Sequence, residues 1–61
     1  MEEREIFAEF DLINEGYANG FFYGKTYQEC KKLIIDELKV WGGGHADIFD
    51  EDGDFIEDVE I

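Results

Sequence analysis

Alternation governs the first stretch of the chain. From Glu5 to Ile13, the residues Ile6, Ala8, Phe10 and Leu12 fall on one side and Glu9 and Asp11 on the other, the period of two of a strand with one face in a core. Phe7 and Ile13 make the second side only partly polar. Turn-tolerant residues follow at Asn14-Glu15-Gly16 and Asn19-Gly20, ahead of the aromatic run Phe21-Phe22-Tyr23, which suits a second strand. Together these segments predict a hairpin.

The period then changes to that of a helix. Thr26 and, three residues on, Glu29 form a capping box, in which the hydroxyl accepts an orphan amide and the carboxylate reaches back to the cap. Tyr27, Cys30, Leu33, Ile34, Leu38 and Trp41 recur at three- and four-residue steps as one wide apolar stripe. Gly42-Gly43-Gly44 ends it, because glycine accepts the left-handed conformation of a helix cap. Beyond the glycines, His45 to Phe49 and Phe55 to Ile61 are β-compatible runs joined by Asp50-Glu51-Asp52-Gly53-Asp54, and Asp-Gly favours a hairpin turn. The order is ββαββ. A single helix stripe is buried only against one face of an antiparallel sheet, so the expected fold is α+β, an antiparallel sheet packed on one face by one amphipathic helix. No linker or repeat divides residues 1–61, which read as one domain.

Composition sets the limits of that domain. Six Phe, three Tyr and one Trp within 44% hydrophobic residues are too many for a disordered acidic chain. Sixty-one residues nonetheless lie near the lower limit for a self-sufficient core. Small scaffolds need a staple; the lone Cys30 gives no intrachain disulfide, and no Cys/His cluster points to structural zinc. Self-association as a homodimer is the staple that remains. No apolar run approaches the roughly 18 residues of a membrane span, and Met1-Glu2-Glu3-Arg4-Glu5 is acidic where a signal peptide is basic. The expected location is the cytoplasm, of a bacterium or of a phage-infected host.

Charge changes the picture most. The net charge is −12, from 17 acids against 5 bases. In the helix, Lys31, Lys32 and Lys39 balance Glu29, Asp36 and Glu37, so all of the net charge lies elsewhere. It is densest from Asp47 to Glu60, where Asp47, Asp50, Glu51, Asp52, Asp54, Glu57, Asp58 and Glu60 occur with no base among them. A polyanion is repelled by nucleic acid and by anionic membranes and is steered toward basic proteins. Same-face side chains on a strand repeat every 6.6–6.8 Å or so, about the rise of two nucleotides in one DNA strand. Acids on such a face are therefore spaced to stand in for phosphates. Those eight residues are the expected partner-binding site, the partner being a basic nucleic-acid-binding protein. Solubilisation of an aromatic-rich miniature is the plainer account of the same charge, but it does not explain a neutral helix beside an acidic hairpin.

Other chemistry finds less support. With Gly53 placed at the sixth position of a calcium loop, the first and twelfth positions fall on Ile48 and Val59, which cannot ligate; weak Ca²⁺ binding at Asp50–Asp54 is the residual alternative. His45 and Asp47 offer two ligands on one strand face where transition metals need three or four, so no metal or cofactor is expected. The chain has no serine, one threonine used as a helix cap, one histidine and one cysteine on the apolar stripe. An enzyme is not expected.

Gly16-Tyr17-Ala18 and then Gly24-Lys25-Thr26-Tyr27-Gln28-Glu29-Cys30 running into a helix resemble the N-terminal module of HicB-type antitoxins, in which a hairpin with a Gly-Tyr step leads to a Gly-x-Thr-x-x-Glu-Ala helix start. The resemblance covers roughly residues 5–41 and implies a HicB-like fold. The family's Pro-Gly-Cys segment is missing from residues 1–61, and its C-terminal DNA-binding domain is not expected. In size and charge the chain also looks like the small acidic proteins with which phages occupy DNA-binding sites of host enzymes, such as inhibitors of uracil-DNA glycosylase, restriction enzymes and CRISPR effectors. The leading expectation is a DNA-mimic inhibitor of that kind. The alternative is a HicB-like antitoxin or a structural dimerisation module with no inhibitory role.

Overall fold

The computed structural model describes residues 4–61. Met1, Glu2 and Glu3, part of the segment whose acidity argues against a signal peptide, lie outside the described residues. Strand β1 spans Arg4–Leu12, β2 Gly16–Gly24, helix α1 Tyr27–Val40, β3 Gly44–Phe49 and β4 Phe55–Glu60. All pairings are antiparallel in the order β2-β1-β3-β4. The expected α+β ββαββ architecture is what the chain forms.

Local chemistry accounts for the helix and its ends. Thr26 is the N-cap, its side chain accepting from the Glu29 amide at 3.2 Å, while Glu29 Oε1 accepts from the Thr26 amide at 3.1 Å; the two bonds close the capping box. At the other end the Gly43 amide donates to the Leu38 carbonyl and the Gly42 amide to the Lys39 carbonyl, the paired bonds of a Schellman cap. Gly42 sits at φ +87°, where a side chain would be strained.

Ile6, Ala8, Phe10 and Leu12 of β1, Ala46 and Ile48 of β3, and Cys30, Ile34 and Leu38 of α1 form the buried core. The apolar stripe of the helix is narrower than its spacing predicts, since Leu33 and Trp41 are over two-fifths exposed. Trp41 instead donates its indole N–H to Glu37 at 3.0 Å. The first hairpin differs too. Asn19-Gly20, expected in a turn, lies in the middle of β2, which runs nine residues and pairs along its length with β1. The turn falls just before it, at Ile13–Glu15. No described helix is long and apolar enough to cross a membrane.

Candidate functional site

The helix covers one face of the sheet, and no described element covers the other. Pairing register decides what that open face presents. Phe21, Phe7, Phe49 and Phe55, one from each strand in spatial order, form a row across the whole sheet, with ring centroids 5.2, 6.0 and 5.8 Å apart in tilted and edge-on contacts. Phe55 reaches this face because a register shift near Ile48/Phe49 lets it pair with Phe49; an extra residue in a strand reverses which way the following side chains point.

Beside the phenylalanines lie two polar rows. Glu9, Asp47 and Asp58 stand opposite one another on β1, β3 and β4, and Asp11, His45 and Glu60 form the next row. Five carboxylates and one imidazole thus occupy a compact grid of three strands by two positions, with neighbouring strands about 4.8 Å apart. Like charges directly opposite one another destabilise a sheet, so this face costs the fold stability. His45 relieves part of that cost: its Nε2 lies 3.1 Å from Asp58 and 3.5 Å from Asp47. The hydrogen bond to Asp58 raises the His45 pKa above its ordinary value, aided by the charges of Asp47, Asp58 and Glu60 and opposed by partial burial. Between the two bands, Phe7, Glu9, Phe49 and Gly53 line a shallow cleft of about 220 Å³.

The eight acids expected to act together are divided among three places. Asp47, Asp58 and Glu60 join the grid. Asp50, Glu51, Asp52 and Asp54 form the tip of the β3–β4 hairpin, where Asp50 Oδ1 accepts from the Asp52 and Asp54 amides, each at 2.9 Å; this carboxylate builds the turn. Glu57 faces the helix, accepting from the Tyr27 hydroxyl and pairing with Lys31 at 3.1 Å. The Tyr27 bond and then Lys31 hold its carboxyl below the usual range, while burial and the same contact push the Tyr27 phenol up. Glu57 is therefore committed to joining α1 to β4.

Three residues of the grid and its border escaped the sequence reading as site residues: Glu9, Asp11 and Phe7. The alternation of β1 placed the two acids on its polar side, but only the strand order sets them against β3. The metal expectation also gains a third donor, because Asp58 brings the His45, Asp47 and Asp58 ligand atoms within 4.8 Å of one another. Asp50, Asp52 and Asp54 converge in the same way at the hairpin tip. Both sets are on the surface, and each has an account without a cation, the first as the His45 ion pairs and the second as the Asp50 turn.

No family model, curated protein or solved structure matches the chain.

Proposed function

We propose that this protein is an acidic binding module that occupies the basic nucleic-acid-binding surface of a partner protein, acting as a DNA-mimic inhibitor in the cytoplasm of a bacterium or of a phage-infected host. The observation that carries this reading is the carboxylate grid set beside a phenylalanine row on the uncovered face of the sheet. The carboxylates on β1 and on β4 repeat at the strand spacing of about 6.7 Å, so each pair fits cations arranged for every second phosphate of a DNA strand. The phenylalanines add what phosphates lack. An arginine entering the cleft between Phe7, Phe49 and Glu9 meets aromatic surface and a carboxylate together. The hairpin tip, with Glu51, Asp52 and Asp54 exposed, extends the acidic surface beyond the sheet.

The test is capture of partners from bacterial lysate on the immobilised protein, at low and moderate salt, with duplex DNA as competitor. Captured proteins are expected to bind nucleic acid, to be displaced by DNA and to be lost as salt rises. Replacing Glu9, Asp47 and Asp58 with Gln or Asn is expected to weaken capture at least tenfold, against twofold or less for Asp36→Asn with Glu37→Gln on the helix. Equal losses from the two sets would leave net charge, and not the open face, as the determinant.

A further inference from the structure

The two edges of the sheet are built differently. β4 carries Glu57, Asp58 and Glu60, whereas β2, Gly-Tyr-Ala-Asn-Gly-Phe-Phe-Tyr-Gly, carries no charge along nine residues. Among the described residues nothing pairs with its outer side. A long uncharged edge is a template for another strand, and natural sheets blunt such edges with charge, proline or bulges. β2 has none of these. Beside it on the helix face lies a groove of about 480 Å³ lined by Phe10, Ala18, Phe22 and Trp41 together with Glu15 and Glu37, because the small residues of β2 leave that side of the strand unfilled.

We propose that the chain forms a homodimer in which β2 pairs antiparallel with β2 of a second copy about a two-fold axis at Gly20. This inference stands apart from the proposed binding function. Full overlap of the strand allows this register alone, and the side chains fit it. Phe22 of the partner subunit falls opposite Ala18, toward the groove, and the partner's Tyr23 falls opposite Tyr17, an aromatic pair of the kind that stabilises sheets. Just outside the strand, Glu15 comes opposite the partner's Lys25 and Lys25 opposite the partner's Glu15. The only charged residues flanking β2 thus meet with opposite sign at both ends of the interface.

Electrostatics selects this edge over the other. In a β2–β2 dimer the two β1 strands are three spacings apart, about 14 Å, beyond the roughly 8 Å screening length at physiological salt. Pairing through β4 would instead set two rows of Asp58 and Glu60 side by side. With the axis normal to the sheet, both helices lie on one side and both open faces on the other, leaving the carboxylate grids uncovered.

Sedimentation equilibrium of the full chain is expected to return twice the 7.1 kDa mass of one copy. Residues related by the axis sit about 4.5–5.5 Å apart between Cα atoms, within disulfide reach. Gly20→Cys is therefore expected to form a covalent dimer under mild oxidation, while Asp58→Cys on the opposite edge is not. A Cβ at Gly20 meets only Phe22, at 3.8 Å, so the monomer accommodates it. As a second route, Glu15→Lys or Lys25→Glu alone is expected to weaken the dimer about tenfold, and the double exchange to restore it. A monomer at the highest attainable concentration would overturn the proposal, as would a dimer cross-linked through Asp58→Cys and not Gly20→Cys, or single charge reversals without effect.

Discussion

Glu57 lies among the acids of the C-terminal hairpin in sequence, yet its carboxylate faces the helix and is held by Tyr27 and Lys31. Its pKa is lowered from 4.5, so its contribution to stability is present above that value and is lost as pH falls through the depressed one. Acid titration followed by circular dichroism is expected to show wild type losing its advantage over Glu57→Gln below pH 4.5. His45 has the opposite sign. Its pKa is raised from 6.5, so its contribution is present below 6.5 and disappears as pH rises through the raised value. The carboxylates facing it are Asp47, Asp58, Glu60 and, on β1, Asp11. The stability gap between wild type and His45→Gln, measured by urea unfolding, is expected to be widest below pH 6.5 while those acids are ionised, and to close in alkaline solution. In the core, Ile34→Ala removes a fully buried side chain and is expected to cost about 2–5 kcal/mol. A domain of this size holds only about 3–9 kcal/mol in total, so that variant is expected to be largely unfolded on warming. The roles of Glu57 and His45 were not legible in the sequence, because each depends on a neighbour 13 to 30 residues away, a relation that local spacing does not encode.

At the scale of the elements, the helix was legible nearly to the residue because its limits are set by chemistry within a few positions: the Thr26–Glu29 box at one end and glycine amides returning to Leu38 and Lys39 at the other. Thr26→Ala is expected to lower stability by about 1 kcal/mol, read as a shift in the urea midpoint. β2 was only half legible. Asn19 and Gly20 have the propensities of a turn, but continuous pairing with β1 overrides them. Strand order was not legible at all, since the adjacency of β1 and β3 rests on pairing between segments more than thirty residues apart. The glycine run hides a second role of that kind. A Cβ on Gly44 would come within 2.4 Å of the Asp11 carbonyl oxygen at φ +147°, so β1 and β3 approach one another only because that side chain is absent. Gly44→Ala is expected to destabilise the sheet by more than Thr26→Ala does the helix, and to prevent folding where the rest of the chain is already marginal.

Across the whole molecule the charge works against the fold. Glu9 and Asp47 face each other across adjacent strands, with His45 3.5 Å from Asp47, so in alkaline solution, where His45 is neutral, Glu9→Gln with Asp47→Asn is expected to raise stability by about 0.2–1 kcal/mol, and added salt is expected to stabilise wild type more than the variant. The same pair of changes is expected to weaken partner capture. A gain in one property with a loss in the other separates this protein from one whose acids serve only to keep it dispersed. The sequence revealed that the helix is neutral and the remainder acidic, but not that the acids of β1, β3 and β4 share a single surface. That arrangement has a consequence for how the molecule travels. With balanced charge on the helix side and carboxylates crowded on the far side of a thin sheet, the protein is electrically two-sided. It is expected to approach a cationic surface already turned, the carboxylates leading, which shortens the rotational search once contact is made.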